Sequence, residues 1–304
     1  MKVLVLGCGS IGKRHAQNAL ALSAEVAIFD IKIDISEALG SELGIKNFSS
    51  LNAAMAWQAD GIIISTPHKT HLELANIAIK AGADVLIEKP LSNSSEGVQE
   101  LLRDAEACNQ NISVVCNIRY HDAVLAIQKH IDKIGKIIYA RAQYGNFLPN
   151  MRPDANYREV YSARKASGGG VILDVIHEID YLIWLLGSVN KVNCVADKIS
   201  DLDIDVEDFA NMTLTHQSGA RSSIHVDYLK PFKRRGCEIV GDQGMIVWQS
   251  EGKSPEICTV KLYDIKSEGW THILDAKTID VNLGYLRLME AFLTKIKNPH
   301  AKRI

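Results

Sequence analysis

Hydrophobic residues in the first 120 positions form short runs that alternate with segments of helical periodicity. Short apolar runs bounded by turn residues predict buried strands. The predicted strands are Lys2–Leu6, Glu25–Phe29, Gly61–Ser65, Asp84–Ile87 and Ser113–Cys116. The predicted helices are Lys13–Leu22, Ser36–Leu43, His71–Ala81 and Ser95–Cys108. This alternation indicates a parallel sheet with right-handed crossovers.

The pattern changes near residue 120, where strands of alternating apolar and polar residues replace the short apolar runs. The predicted strands are Lys136–Tyr144, Val189–Ala196, Phe209–Thr215, Ala220–Tyr228, Arg235–Val240, Gly244–Gln249 and Cys258–Tyr263. The predicted helices are Ala123–Ile131, Val171–Leu186 and Tyr285–Lys297. Such strands with turn signals between them predict an antiparallel sheet. We therefore predict an α/β protein of two domains, residues 1–120 and residues 121–304.

Composition excludes some classes of function without selecting one. The 304 residues are consistent with two domains. Lys and Arg number 34 against 36 Asp and Glu, a net charge of −2, so no global charge favours nucleic acid or an anionic membrane. No apolar stretch approaches the roughly 20 residues that span a bilayer. The six cysteines form no C-x-x-C pair, which favours reduced core thiols and a cytoplasmic location.

A glycine-rich segment, Gly7–Gly12, fits G-x-G-x-x-G between the first predicted strand and helix. In this motif Gly7 permits a tight turn, Gly9 lets the backbone approach a pyrophosphate, and Gly12 lets the helix pack on the strand. The pyrophosphate would lie on the N–H groups of the helix N-terminus. The segment therefore predicts a dinucleotide site, the alternative being an ordinary strand–turn–helix corner.

Asp30 follows the second predicted strand and bears on the choice of cofactor. A carboxylate there accepts hydrogen bonds from a ribose diol and repels a 2′-phosphate, which favours NAD over NADP. Lys32 and the pair Lys13-Arg14 are near enough in sequence to accept a phosphate. NADP therefore stays open as a second possibility.

Two further motifs lie at predicted strand ends. Ser65-Thr66-Pro67 ends the third strand and Glu88-Lys89-Pro90 ends the next one. Open α/β sheets bind ligands at the carboxyl ends of their strands. In the second motif the proline fixes a bend and the glutamate can position the lysine ammonium, although a solvated ion pair at a turn is the alternative. His68 and His71 lack a third ligand at suitable spacing, so we predict no metal site.

These motifs resemble the Gfo/Idh/MocA oxidoreductase family over nearly the whole chain. Asn117–Tyr120 resembles the family segment that leads into the second domain, and Gly168–Gly170 with the acidic residue and histidine after it resembles the substrate-domain helix. The resemblance implies an N-terminal Rossmann domain and a C-terminal α/β domain with an open, mostly antiparallel sheet. It also implies NAD or NADP, a carbohydrate-like substrate, and a homodimer or homotetramer formed through the C-terminal sheet.

Three polar residues, Asp174, His177 and Asp180, recur at every third position among Val, Ile and Leu. On a helix they would lie on one side, and a histidine beside carboxylates is a common general base. An amphipathic helix with a narrow polar edge is the alternative. Relatives often space the aspartate and histidine four apart, so the position matching the family aspartate is ambiguous by one residue. The histidine–glutamate–x–aspartate run resembles a branch of sugar and nucleotide-sugar enzymes.

The motifs and the resemblance together assign the site residues. The predicted catalytic residues are Lys89, His177 and Asp174. The predicted cofactor contacts are Gly7, Gly9, Ser10, Ile11, Gly12, Asp30, Ser65, Thr66, Pro67, His71, Glu88, Lys89 and Asn117. The predicted substrate contacts are Lys89, Arg119, Tyr157, Arg158, Tyr161 and His177.

The resemblance implies hydride transfer between the nicotinamide and a hydroxyl or carbonyl carbon of a sugar, sugar acid or nucleotide sugar. His177 would remove the hydroxyl proton, Lys89 would stabilise the alkoxide, and Asp174 would orient the imidazole. A sensor that binds the cofactor without turnover is one alternative, which the presence of Lys89 and His177 disfavours. A second is an NAD-dependent glycosidase with transient redox. Relatives also often continue beyond the helix near Ala291.

Overall fold

The computed structural model describes residues 1–252 and 256–298, with residues 276 and 277 described by their backbone alone. The chain forms two compact units. Residues 1–115 and the segment that begins at Tyr285 make up the first unit, and Cys116–Gly284 make up the second. The sequence pattern had grouped the last helix with residues 121–304, whereas it packs with the first unit.

The first unit contains a sheet of six parallel strands in the order β3-β2-β1-β4-β5-β6. The strands are β1 Lys2–Leu6, β2 Glu25–Phe29, β3 Lys46–Asn47, β4 Gly61–Ile64, β5 Asp84–Ile87 and β6 Ile112–Val114. This is the strand order of dinucleotide-binding domains, with its switch point between β1 and β4. The predicted parallel sheet is confirmed, and β3 is an addition.

Helices cover this sheet and explain the short apolar strands. The helices are α1 Ser10–Ala21, α2 Ile33–Leu43, α3 Leu51–Met55, α4 His71–Lys80 and α5 Val98–Ala107. All residues of β4 and β5 are buried, because strands covered on both faces need no polar alternation. The sequence pattern did not predict α3.

The second unit contains a sheet of eight strands in the order β14-β13-β12-β11-β7-β10-β9-β8. The strands are β7 Ile137–Gly145, β8 Val189–Asp197, β9 Phe209–His216, β10 Arg221–Asp227, β11 Arg234–Gly241, β12 Gly244–Glu251, β13 Glu256–Asp264 and β14 Gly269–Ile279. Among these strands only β7 and β10 pair in parallel. The predicted mostly antiparallel sheet is confirmed, and β14 is an addition.

The remaining helices are α6 Asp122–His130, α7 Leu148–Met151, α8 Val171–Asp174, α9 His177–Leu186 and α10 Asn282–Lys297. The core of the second unit lies where α6 and α9 pack on the sheet, and it includes Ile127, Tyr181, Leu182 and Trp248. Short 3₁₀ turns also occur, among them Asn117–Tyr120.

The predicted continuous helix over Val171–Leu186 is wrong, because it is interrupted between α8 and α9. Val175 adopts φ −108° and ψ 36°, outside the α-helical region. The chain then resumes a helix at His177. Asp174 therefore ends one helix and His177 begins another.

Helix α10 completes the first unit by packing on β4. A Cβ atom added to Gly61, the first residue of β4, would lie 2.7 Å from Ile296 Cδ1 and 3.0 Å from Phe292 Cε1. Leu288, Met289 and Phe292 are buried. The glycine thus gives the helix room to approach the strand. Over residues 1–252 and 256–298, no helix has the length and apolarity that crossing a membrane requires.

Candidate functional site

The glycine-rich turn after β1 has a geometry that only glycine accommodates. Gly7 has φ +91°, and a Cβ atom there would lie 2.8 Å from the carbonyl carbon of Ser65. A Cβ atom on Gly12 would lie 1.9 Å from the carbonyl oxygen of Gly7. Ser65 Oγ lies 2.9 Å from the carbonyl oxygens of both Leu6 and Gly7. The turn is therefore packed directly against the end of β4.

The N-terminus of α1 is open to an anion. Gly9 and Ser10 are exposed, and a Cβ atom on Gly9 would meet nothing within 4 Å. Among the described residues no side chain caps this helix end, which leaves first-turn N–H groups at Ser10 and the half-buried Ile11 for a ligand. These features fit the pyrophosphate of a dinucleotide, because N–H groups and the helix dipole both favour negative charge.

Asp30, just after β2, is held beside the glycine turn. Its Oδ2 accepts a hydrogen bond of 2.7 Å from the backbone N–H of Cys8, and its Oδ1 accepts one of 2.9 Å from Lys32 N–H. Carboxylate oxygens have further acceptor capacity, which suits the hydroxyls of a ribose. The position predicted for a ribose contact is thus preorganised.

Lys13 and Arg14, which the sequence offered as partners for the 2′-phosphate of NADP, make other contacts. Lys13 Nζ lies 2.5 Å from Glu42 Oε1. The Arg14 guanidinium lies 4.8 Å from the ring centroid of Tyr285. Lys32 is exposed, and its side chain is therefore available to a phosphate at this position.

His71 links the two strand-end motifs. Its Nε2 lies 2.9 Å from the carbonyl oxygen of Thr66 and its Nδ1 lies 3.0 Å from that of Pro90. Thr66 also hydrogen-bonds Thr70 through the two side-chain hydroxyls, and Pro67 precedes the short 3₁₀ turn that leads into α4. The imidazole is buried, and burial lowers the pKa of His71. His71, predicted as a cofactor contact, therefore has a structural task at the site.

The buried Glu88 carboxylate is held from α1. Its Oε1 lies 2.8 Å from Nε2 of His15, which is fully buried. Its Oε2 accepts a hydrogen bond of 3.1 Å from the backbone N–H of Lys89. Lys89 is half-buried and is joined to Pro90 by a cis peptide bond. The residues on either side of Lys89 are thus both anchored by histidines, Glu88 by His15 and Pro90 by His71.

Residues of the second unit carry the rest of the predicted site. Asn117 is buried, and its Oδ1 has no hydrogen-bond partner among the residues that the structure describes. A buried carbonyl oxygen without a donor is costly, and an amide or hydroxyl of a ligand would satisfy it. In the described ranges, no group of three or more His, Cys, Asp or Glu side chains could hold a metal ion.

The three glycines before α8 allow the chain to approach Glu207 and Tyr161. Gly170 has φ +114°, and a Cβ atom there would lie 2.3 Å from Glu207 Oε1. A Cβ atom on Gly169 would lie 2.5 Å from the carbonyl oxygen of Tyr161. Glu207 Oε1 in turn accepts a hydrogen bond of 3.2 Å from the N–H of Ile172 in the first turn of α8. The acidic side chain thus caps the helix that leads to Asp174.

Asp174 accepts hydrogen bonds from three hydroxyl groups. The hydroxyl of Tyr161 donates to Oδ1, and those of Ser162 and Tyr228 donate to Oδ2 at 2.9 and 3.1 Å. Burial raises the pKa of Tyr228 well above its ordinary value, and the charge of Asp174 raises it further. The prediction that Asp174, His177 and Asp180 share one side of a single helix is wrong, because the helix is interrupted after Asp174. Tyr161, predicted as a substrate contact, here fixes this carboxylate.

Four other predicted site residues belong to the second unit: His177, Arg119, Arg158 and Tyr157. His177, at the start of α9, is only 9% exposed. Arg119, in the 3₁₀ turn, is paired with Asp180 of α9. Arg158 Nε lies 3.1 Å from Asp203 Oδ2. The Arg158 guanidinium also lies over the ring of Tyr157, 4.6 Å from the centroid of that ring.

Sequence reasoning missed His15, Glu207 and Tyr228. His15 follows the glycine motif on the face of α1 that carries the buried Ala16 and Ala19. A histidine at the buried face of a short helix is a signal that could have identified it. Glu207 and Tyr228 have no comparable local pattern, since their partners come from distant segments.

Sequence profiles of known families match most of the chain. Residues 1–115 match the profile described as "Oxidoreductase family, NAD-binding Rossmann fold", and residues 124–247 match the GFO/IDH/MocA C-terminal domain. The chain belongs to the GFO/IDH/MocA family. The predicted resemblance is therefore confirmed, and the first unit contains the NAD-binding Rossmann domain of this family.

Individual GFO/IDH/MocA relatives show the extent of the likeness. The UDP-N-acetylglucosamine 3-dehydrogenase of Acidithiobacillus ferrooxidans is 32% identical over 188 residues, which are 62% of this chain and 55% of that protein. The 1,5-anhydro-D-fructose reductase of Ensifer adhaerens is 25% identical over 272 residues, 87% of this chain and 80% of that protein. The first match thus spans little more than half of that relative's length.

A solved structure extends the comparison to the fold. An oxidoreductase from Agrobacterium radiobacter, in complex with NAD+, L-tartaric acid and magnesium, superposes with a TM-score of 0.84 at 21% identity. The match covers 98% of this chain and 89% of that one. The described fold of this GFO/IDH/MocA protein is therefore shared over nearly its whole length.

Proposed function

We propose that this protein transfers a hydride between NAD(P) and the hydroxyl or carbonyl carbon of a sugar, sugar acid or nucleotide sugar. One observation carries the proposal: Lys89 stands at a strand end of the Rossmann sheet, between Glu88 held by His15 and Pro90 held by His71. A lysine so firmly anchored on both sides, at the ligand-binding end of the sheet, suits a reacting group.

The first unit would bind the cofactor. The open N-terminus of α1 binds the pyrophosphate, and Asp30 accepts hydrogen bonds from the ribose. Asn117, predicted as a cofactor contact, belongs to the second unit, and its buried Oδ1 would supply a further acceptor for a cofactor or substrate group. NAD is the preferred cofactor, because the Asp30 carboxylate repels a 2′-phosphate. Bound nicotinamide supplies the hydride acceptor at its C4 position.

Lys89 and His177 would carry the proton chemistry. Neutral His177 takes the proton of the substrate hydroxyl as the hydride leaves the same carbon, which becomes a carbonyl. The Lys89 ammonium stabilises the alkoxide that develops on the oxygen. The charge of Asp174 favours the imidazolium formed on His177, and its three hydroxyl donors keep that carboxylate in place. In the reverse direction the same groups protonate a carbonyl oxygen.

The second unit would recognise the substrate. Arg119, Tyr157 and Arg158 offer hydroxyl and guanidinium donors that suit sugar hydroxyls or an anionic group, and Tyr161, whose hydroxyl donates to Asp174, would contribute as an acceptor. Two relatives described above are named for carbohydrate substrates, UDP-N-acetylglucosamine and 1,5-anhydro-D-fructose. The names of these relatives support the class of substrate. The division of labour is the one predicted for residues 1–120 and 121–304, except that Arg119 belongs to the second unit.

A cytoplasmic homodimer or homotetramer formed through the second sheet completes the proposal. Six large apolar residues on the strands of that sheet are 40–60% exposed: Ile138, Tyr139, Val192, Val195, Ile257 and Trp270. All six cysteines lie in the described part of the chain, and none forms a disulfide, as in a reducing compartment. Light scattering coupled to size exclusion would measure the mass, and a monomer at micromolar concentration would contradict the oligomer.

Replacing Lys89 with Met tests the function. Wild-type protein is assayed with NAD and NADP against sugars, sugar acids and nucleotide sugars, by the absorbance of the reduced cofactor. We expect Lys89→Met to lower kcat by about a thousandfold while NADH still binds, as measured by its fluorescence. Lys80→Met, at an exposed lysine that ends α4, is the matched control.

Other outcomes would contradict the proposal. Near-normal turnover of Lys89→Met would remove Lys89 from the chemistry. Cofactor that survives purification, with glycoside cleavage and no net NADH, would point instead to transient redox. Tight binding of NADH without turnover of any compound would indicate a sensor.

A further inference from the structure

Helix α10 carries Tyr285 into the neighbourhood of the Glu88-Lys89-Pro90 segment. The ring centroid of Tyr285 lies 5.9 Å from that of His15, with the planes at 71° in an edge-to-face arrangement. The Arg14 guanidinium covers the Tyr285 ring at 4.8 Å. A residue from the far end of the chain thus packs on the histidine that holds Glu88.

The protonation of His15 follows from its contacts. An ionised Glu88 can only accept, so Nε2 of His15 carries the hydrogen in the 2.8 Å contact. Nδ1 is buried with no hydrogen-bond partner among the described residues. A second proton there would be a buried donor without an acceptor, which is unfavourable. His15 therefore donates to the Glu88 carboxylate through Nε2.

The pKa of Tyr285 responds to the charges of the Glu88-Lys89-Pro90 segment. Burial is the largest influence on the pKa of Tyr285 and raises it. The negative charge of Glu88 raises it further, whereas the positive charges of Lys89 and Arg14 and a hydrogen bond from Arg14 lower it. The phenol is thus within electrostatic reach of Glu88 and Lys89 while Arg14 holds its hydroxyl.

We propose that His15 and Tyr285 are positioning residues for Lys89. Helix α10, which carries Tyr285, therefore contributes to the catalytic function of the first unit as well as to its packing. His15 fixes Glu88, Glu88 fixes the backbone N–H of Lys89 at 3.1 Å, and Tyr285, with Arg14 over its ring, restricts His15 and through it the Lys89 segment. A lysine on a flexible four-carbon stem needs such restraint to place its ammonium at one point. The inference rests on the proposed role of Lys89.

Paired substitutions separate the hydrogen bond from the packing. His15→Phe keeps an aromatic ring beside Tyr285 and removes the donor, whereas His15→Gln provides an amide N–H in place of Nε2–H. Tyr285→Phe keeps the ring and removes the hydroxyl that Arg14 holds. Tyr139→Phe, on an exposed strand position of the second unit, is the control for loss of a phenol.

Positioning predicts an effect on kcat alone. His15→Phe and Tyr285→Phe are each expected to lower kcat about tenfold, with KM and the NADH dissociation constant within about twofold of wild type. His15→Gln is expected to recover about a third or more of the wild-type kcat. A fall in kcat accompanied by an equal loss of NADH affinity would overturn the inference, because it would indicate a role in the cofactor site.

A second measurement does not depend on turnover. The rate at which an amine-reactive reagent acylates Lys89, measured by peptide mass spectrometry, reports how restrained and accessible its ammonium group is. The rate at Lys13 in the same sample serves as the internal reference. We expect Lys89 to react about threefold faster in His15→Phe and Tyr285→Phe, because the restraint on its side chain is lost, and at the wild-type rate in Tyr139→Phe.

The two measurements distinguish the two proposals. A wild-type protein without turnover whose Lys89 labelling rises in the variants would overturn the activity and support the network. Unchanged labelling in both His15→Phe and Tyr285→Phe would overturn the network whatever the activity. If His15→Phe does not fold, Tyr285→Phe and His15→Gln still provide the comparison.

Discussion

Arg119 holds Asp180 with two guanidinium nitrogens, Nε at 2.9 Å from Oδ2 and Nη2 at 2.5 Å from Oδ1. This fork joins the 3₁₀ turn of Asn117–Tyr120 to α9, the helix that begins with His177. The Arg119 guanidinium also lies 5.7 Å from the ring centroid of Trp184, one turn further along α9. Arg119 therefore contributes to the placement of α9, whether or not it also contacts a substrate.

Loss of this fork is expected to destabilise the second unit. Arg119→Lys keeps the charge but cannot make two parallel contacts, and we expect the free energy of unfolding to fall by about 1 kcal/mol. Chemical denaturation followed by tryptophan fluorescence measures the change. Arg158→Lys alters the exposed pair with Asp203 and should cost less than about 0.5 kcal/mol. Equal effects of the two substitutions would contradict this expectation.

Asp174→Asn is expected to lower the pKa of Tyr228. Burial raises that pKa most, and removal of the Asp174 charge takes away the next cause. Ultraviolet titration of tyrosinate in wild type and variant measures the shift. The variant should also lose about 1–3 kcal/mol of stability, because buried hydroxyls lose a charged acceptor. Asp203→Asn, at an exposed carboxylate, serves as control, and an unchanged tyrosinate curve in Asp174→Asn would exclude this coupling.

Asp30 is expected to determine cofactor preference. Asp30→Ser removes the carboxylate fixed by the N–H groups of Cys8 and Lys32, and NADH should bind about tenfold more weakly. Loss of the negative charge should at the same time improve NADPH binding, with Lys32 available to a phosphate. Cofactor fluorescence titration measures both affinities. Asp34→Ser, at an exposed residue in the first turn of α2, should change neither.

The second unit is expected to lose stability in acid through Glu256. Burial alone would raise the pKa of this carboxylate, but the neighbouring His121, 3.4 Å away, and the charge of Lys233, 2.7 Å away, hold it at about 2. A lowered pKa gives stability that is complete above the ordinary value of 4.5 and is lost as the pH falls toward about 2. The contribution is about 3 kcal/mol.

Acid unfolding of variants checks the assignment to Glu256. Lys233→Met removes a positive neighbour, raises the pKa of Glu256, and should move the acid transition to higher pH. Trp248, whose ring centroid lies 5.4 Å from that of His121, provides a fluorescence signal from this region. Glu251→Gln, at an exposed residue, should leave the transition unchanged. Coincident acid curves for wild type and Lys233→Met would refute the expected role of the pair.

The buried strands of the first unit could be predicted from sequence almost residue by residue. Lys2–Leu6, Glu25–Phe29 and Asp84–Ile87 have the predicted bounds. Strands covered on both faces are short apolar runs, and no tertiary partner is needed to recognise them. The family motifs likewise located the glycine turn and the segment around Lys89.

Elements with weaker patterns were not predictable. In β14 the side chains of Trp270, Thr271, His272 and Asp275 are exposed, so this edge strand shows little alternation of apolar and polar residues. The two residues of β3 pair with β2 at the edge of the sheet. The interruption at Val175 contains neither glycine nor proline, so the local sequence carries no helix-breaking signal there.

The connections within the site depended on the tertiary structure. His15 and Glu88 lie 73 positions apart, and either could have faced another partner. The hydroxyl donors to Asp174 come from the loop before α8 and from Tyr228, which directly follows β10. Sequence therefore identified the residue types, and the fold determined which of them meet.

The return of α10 to the first unit sets an order of events during protein synthesis. The second unit is continuous in sequence from Cys116 to Gly284, so the ribosome delivers all of it in one stretch. The strands of the first unit are synthesised early, but the unit is incomplete until Phe292 and Ile296 have been synthesised and can pack against Gly61. The domain whose translation begins first is therefore the one whose folding finishes last.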